Sequence, residues 1–283
     1  MSEMISYGKE LGREFKKDDA TTLAAAQAYY YLLSIVPLLI LLLTILPYLS
    51  IDPQRAVTVM ENILPQQVAS TFEDTIVSVV STPRGGLLTV GIIGTLWSAS
   101  NAINAFINAS NHAYDVEETR SFIKVRLLSI VLTLGMILAV VVALLLPIFG
   151  GIILDYVKSA FNLPSQLSIL FSVLRWVVSL VVMIGILAAL YHFAPNKEFP
   201  FREVLPGATA AAVLWQLISL LFSLYLSNFG NYSATYGSLG GVVILMLWFF
   251  LTGLTLVVGA EINAIYHRRR HNLSKSNQSK GSL

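Results

Sequence analysis

Apolar residues in this chain fall into six long runs, at about Leu23–Leu49, Gly86–Ala109, Leu127–Tyr156, Ser168–Ala194, Val204–Leu226 and Leu239–Tyr266. A helix needs about 20 residues to cross the hydrocarbon of a bilayer, and each run is long enough. With no water available there, backbone polar groups must be satisfied within the segment, so the runs predict helices. The pattern predicts an all-α fold, a polytopic membrane bundle of six transmembrane helices. The third run is the longest, which predicts tilt or projection beyond the hydrocarbon.

Two intervals break the pattern differently. Residues 50–85 carry Met60, Leu64, Val68, Phe72, Ile76 and Val80 at four-residue spacing, interrupted by Pro65. That spacing predicts an amphipathic helical outer loop, a packed cap over the bundle or a gate. Residues 267–283 are basic, rich in Ser and Asn and without periodicity, which predicts a disordered tail. The expected domains are an amphipathic amino-terminal segment (1–22), the transmembrane domain (23–266) and that tail (267–283).

Composition agrees with a membrane protein. Of the 283 residues 55% are hydrophobic and 12% charged, and mean hydropathy is +0.72; soluble domains carry about 25% charged residues. There is no Cys, which removes disulfides and thiolate metal sites. The distribution of Lys and Arg then orients the bundle. Six spans put fourteen of the eighteen on one side: Lys9, Arg13, Lys16, Lys17, Arg120, Lys124, Arg126, Lys197, Arg202, Arg268, Arg269, Arg270, Lys275 and Lys280. Arg55, Arg84 and Lys158 fall on the other, and Arg175 lies inside span four, where it is expected to snorkel to the headgroups or to reach Asp155. Positive charge marks the cytoplasmic side, so both termini are expected there. Arg268, Arg269 and Arg270 suit stop-transfer or attraction of anionic lipid headgroups.

Polar side chains within spans are costly and therefore informative. In span two Gly94, Trp97, Asn101, Asn104, Asn108 and Asn111 are spaced by three or four residues and share one helical face. Gln27, Tyr30, Tyr31, Ser34 and Pro37 form a comparable face in span one, and Pro37 predicts a kink. Trp248, Thr252, Thr255, Gly259 and Asn263 form a third in span six. The stripes fit two structures: interhelical hydrogen bonding, or the walls of a shared substrate cavity. Under the second, the candidate binding residues are Gln27, Tyr31, Ser34, Asn101, Asn104, Asn108, Thr252 and Asn263. Glu261 is a candidate ion-pair partner of Arg120, Arg126 or Arg202, or a proton site.

Other chemistry is scarce. His267 and His271 have i,i+4 spacing, but no neighbouring carboxylate cluster completes a ligand set, so the histidines are expected to be interfacial and no metal or cofactor is expected. The sequence contains no phosphate-binding Gly-Lys-Ser/Thr loop and no nucleophile elbow. No enzyme activity and no nucleic-acid partner are expected, and a homo-oligomer is left open.

Tyr236–Gly240 (Tyr-Gly-Ser-Leu-Gly), Trp248, Gly259–Ala264 (Gly-Ala-Glu-Ile-Asn-Ala), Ala28–Pro37, the Asn-rich Trp97–Tyr114 and Leu205–Trp215 occur in an order that resembles the YihY/BrkB family of bacterial inner-membrane proteins. The likeness runs from about Lys16 to Tyr266. It implies a six-span protein of the bacterial plasma membrane, and brings no settled site residues. Members once carried a ribonuclease BN label regarded as mistaken; some are linked with virulence or serum resistance, and a related branch with export of lipopolysaccharide precursors. The expected activity is therefore transport or export of a lipid-like or amphipathic substrate. The alternatives are a non-transporting scaffold or envelope-integrity protein and, last, a membrane ribonuclease.

Overall fold

A computed structural model of the protein describes residues 2–45, Tyr48, 85–138, 167–229 and 240–280. These form helices and no strand. In chain order they are α1 (Ser2–Lys17), α2 (Ala20–Ile45), α3 (Gly85–Ala113), α4 (122–138), α5 (Leu167–Phe193), α6 (Phe201–Phe229) and α7 (Gly240–Lys280). Five segments are long and apolar enough to span a membrane: Ala20–Leu41, Gly85–Ala113, Trp176–Phe193, Phe201–Ser227 and Gly240–His271. They match five of the six expected spans. The remaining one, Leu127–Tyr156, is described only as far as α4, and residues 139–156 lie outside the described residues. So does almost all of the expected outer-loop helix, and so do the side chains of Arg175 and Asp155.

In each span only 11–28% of the apolar window is buried. Leu220, Leu221, Val181, Val131 and Ile93 are among the large hydrophobics turned outward. Such a surface is stable against lipid and not against water. The described residues are thus an all-α membrane bundle.

One expectation needs correcting. The segment from His267 does not begin as an irregular tail; α7 continues unbroken to Lys280. Its first turns are held by α1, which supplies the partners that the basic residues would otherwise find in solvent.

The contacts group into two units, Met1–Ala28 with Ile103–Leu283, and Tyr29–Ala102. Within the second, a Cβ on Gly91 would stand 3.1 Å from Leu41 Cα, and one on Gly94 would stand 3.4 Å from Pro37 Cβ. Small residues there let two backbones approach. α2 remains helical through Pro37.

The first unit is built on the same device. Ala20, Ala24 and Ala28 of α2 are fully buried on one face, and Gly253 of α7 sits against the Ala24 carbonyl. Gly207 of α6 packs on the carbonyl of Gly259 in α7, and the Tyr191 ring of α5 closes against Gly259 while its hydroxyl donates to the Leu256 carbonyl at 2.8 Å. Ala188, Ala208, Ala211 and Ala260 fill the remaining space around Tyr191 and Phe106. A Cβ at Gly207 would overlap a backbone carbonyl that cannot move aside, whereas one at Gly185 would meet nothing within 4 Å. Gly207→Ala is therefore expected to lower stability by about 1–3 kcal/mol and Gly185→Ala to leave it near wild type, as read by thermal unfolding in detergent; equal melting temperatures would refute the close packing.

Candidate functional site

The basic end of the first unit is organised by the seam between α1 and α7. The Tyr7 hydroxyl donates to the Ile262 carbonyl at 2.8 Å. Arg269 lies over the Tyr7 ring at 4.8 Å and donates to Glu10 at 2.6 and 2.8 Å. Arg268 reaches Glu14 at 3.2 Å and Asp115 at 3.1 Å, and Lys17 reaches Asp115 at 2.6 Å. Asp115 ends α3 in the left-handed region (φ 52°), where its short polar side chain makes that conformation tolerable. Val116 N–H then donates to the Asn111 carbonyl, closing the helix end. The turn projects the Asp115 carboxylate toward both cations. Burial of Glu14 works to raise its pKa, but Arg268, Arg13 and Lys17 outweigh it and hold the carboxyl below its ordinary value.

Behind this seam lies a buried polar core. Glu261 is fully buried inside the membrane-spanning part of α7, where its carboxyl faces that of Asp18 at hydrogen-bonding range and accepts from no N–H group among the described residues. Beside this carboxyl pair the Tyr114 hydroxyl meets the side-chain amide of Asn263. The charged groups acting on Glu261 are Asp18, Glu14 and Arg268. Asn263 is fixed through its other end: its Oδ1 accepts the Gly207 N–H at 2.7 Å. Tyr114 stacks on Phe199 at 4.0 Å, and burial raises its phenol above the ordinary range, so it stays neutral. Buried polar atoms are nearly always paired. Two facing carboxyls and a phenol–amide pair thus form a polar cluster within an otherwise apolar interior.

Three clefts open nearby in the same unit. A polar one of about 420 Å³ is lined by Asp18, Asn108, Asn111, His112, Asp115 and Glu118. An apolar groove of about 560 Å³ runs between α4 and α5, lined by Val131, Leu132, Met136, Val182, Ile186 and Phe193. A more polar hollow of about 690 Å³ holds Arg120, His192, Asn196 and Lys197. Groove and hollow share Leu128 and Phe193, so an apolar trough continues into a mouth carrying cations.

The sequence-derived candidates separate accordingly. Glu261 and Asn263 enter the buried core. Asn108 is exposed in the polar cleft, which includes neither Gln27 nor Asn104. Gln27 is buried, with its amide directed to the Leu23 carbonyl at 3.4 Å. Thr252 accepts from the Trp215 indole at 3.3 Å. Asn104 is half-buried in the first unit. Tyr31, Ser34 and Asn101 are half-buried in the second, where the Ser34 hydroxyl donates to the Tyr31 carbonyl at 2.7 Å. Asn111 is a brace: it accepts the Asn196 N–H at 2.7 Å and donates to Glu118 at 2.9 Å. Of the basic residues expected near Glu261, Arg120 is instead held by Glu118 at 2.6 Å.

Sequence reasoning missed Asp18, Tyr114 and Glu203. Asp18 comes from the α1–α2 turn and Tyr114 from the end of α3. Glu203, 64 residues away in sequence, stands beside His267 as a single carboxylate brought there from α6. No local spacing joins these residues; helix packing does.

Outward apolar spans around a buried acid define a multi-pass integral membrane protein. The family model for virulence factor BrkB matches residues 11–283, and the chain belongs to that family. It is 46% identical over 230 residues to the ribonuclease-like protein YfkH of Bacillus subtilis strain 168, covering 81% of this chain and 83% of the relative. It is 36% identical over 91 residues to a UPF0761 membrane protein of Idiomarina loihiensis, about 32% of each chain. A UPF0761 membrane protein of Vibrio vulnificus strain YJ016 is 35% identical over 98 residues, covering 35% of this chain and 31% of that protein. No solved structure matches.

Because the Glu14 pKa is depressed in the folded protein, its stabilising effect is present above the unfolded carboxylate range and fades as pH falls through the folded value. Glu14→Gln should lower stability at neutral pH by about 1–2 kcal/mol and flatten the acid limb of a melting-temperature profile; an unchanged limb would remove Glu14 from the seam.

Proposed function

We propose that this protein is a transporter or exporter of a lipid-like, amphipathic substrate in the bacterial plasma membrane, with Glu261 as its coupling group. The observation that carries the reading is the Glu261 carboxyl, fully buried in a span against the carboxyl of Asp18 and bonded to no basic group among the described residues. A carboxyl group in that position is costly, and proteins retain such groups where ions or protons move. The α4–α5 groove supports the substrate class. It offers an apolar trough for a chain and, at Arg120, His192 and Lys197, a polar mouth for a charged head. In this reading the basic end faces the cytoplasm, in keeping with its cations, and the polar core is reached from that side.

A scaffold role is favoured by one set of observations, the bonding of Asn111, Asn263 and Thr252 as internal braces. It assigns no task to Glu261. Reconstituted protein given a fluorescent short-chain phosphatidylglycerol and a pH gradient should therefore move the probe across the liposome wall. Glu261→Gln should slow it about tenfold or more, a barrier change of roughly 1.4 kcal/mol, with the variant still folded. Equal, measurable rates for the two proteins would overturn the coupling role, and no movement of the probe by either would favour the scaffold.

A further inference from the structure

Beside the polar core, the fold assembles three metal-ligating side chains that are far apart in sequence. Glu203 stands in the first turn of α6, and His267 and His271 lie one helical turn apart on α7. Their ligand atoms all lie within 4.8 Å of one another. His267 Nδ1 is 2.5 Å from Glu203 Oε2, and His271 Nε2 is 3.9 Å from the same oxygen. Around a tetrahedral ion with bonds of about 2.0–2.2 Å, ligand atoms stand roughly 3.4 Å apart. Of the two separations to Glu203 one must open and the other close by less than about 1 Å, and the two imidazole nitrogens, at most 4.8 Å apart, close by no more than roughly 1.4 Å, within reach of side-chain rotation.

The surroundings fit an ion. The Glu203 side chain is only 6% exposed. Its cationic neighbours are the exposed Arg270, 3.7 Å from Oε1, and imidazoles that carry charge only when protonated. Phe199 meets the His267 ring edge-on at 4.8 Å and fixes its plane. The His271 side chain is 56% exposed, leaving an approach from solvent and room for a water as fourth ligand.

We propose that Glu203, His267 and His271 form a binding site for a divalent first-row transition metal. Zn²⁺ is the best match to two imidazoles, one carboxylate and an open fourth position. The ion would tie the start of α6 to the extension of α7. It stands independently of any transport activity.

The test uses the full chain without an affinity tag, in detergent, stripped by a chelator and then titrated with Zn²⁺ against a chromophoric chelator. Co²⁺ titration followed by visible absorption reports the geometry. One equivalent of metal per chain and the bands of a tetrahedral Co²⁺ site are expected. Glu203→Gln and His271→Ala should each weaken Zn²⁺ binding about tenfold or more, while His112→Ala, which removes the histidine of the polar cleft, leaves it unchanged. Since His271 is exposed, its variant reads the site without disturbing the core, and elution and melting profiles verify folding of each protein. No binding to the wild type, or equal binding by wild type and His271→Ala, would reduce the group to a Glu203–His267 ion pair and overturn the site.

Discussion

Two glycines set the spacing on which the basic end of the molecule depends. Gly207 in α6 lies against the backbone of Gly259 in α7, with no side chain between them. At that distance the Asn263 amide reaches the Gly207 N–H, which follows Pro206 at the start of α6. The bond fixes the rotation of α7 and directs Glu261, two residues earlier, inward with Tyr114 and Asp18. Dispersion and backbone contact drive such packing, because lipid gives apolar helices little reason to associate. The same contact brings the first turn of α6, with Glu203, beside His267.

On this frame the charged residues act as a cap. Arg268 and Arg269, read from sequence as available for lipid headgroups, are engaged by Glu14, Asp115 and Glu10. These carboxylates come from α1 and from the end of α3. The cap explains why α7 continues past the membrane as a helix: its polar turns have protein partners. It also closes over the core, so that Glu261 feels Arg268 without a direct bond to it among the described contacts.

The spans were legible because hydropathy reports burial in lipid directly, and five of them are present where the runs of Leu, Ile and Val lie. Glu261 and Asn263, both fully buried, stood out in the sequence too, since polar residues in a span are rare. Their partners did not. Asp18 and Tyr114 sit just outside spans, where polar residues are ordinary, and Glu203 looks like a common first-turn acid. Periodicity put Asn101, Asn104, Asn108 and Asn111 of α3 on one face, and Asn108 and Asn111 line one cleft, where Asn111 also braces two loops. A helical face specifies direction, and only packing decides what lies in that direction.

The facing carboxyls of Glu261 and Asp18 receive no N–H donor among the described residues, and an ordered water or ion beside them would complete their bonding. A cryo-electron microscopy map in lipid nanodiscs, at a resolution that shows ordered water, tests it most directly. The account predicts density within about 3.2 Å of the Glu261 and Asp18 carboxyls. A dry core, with Glu261 paired directly to Arg268 and nothing between, would contradict it.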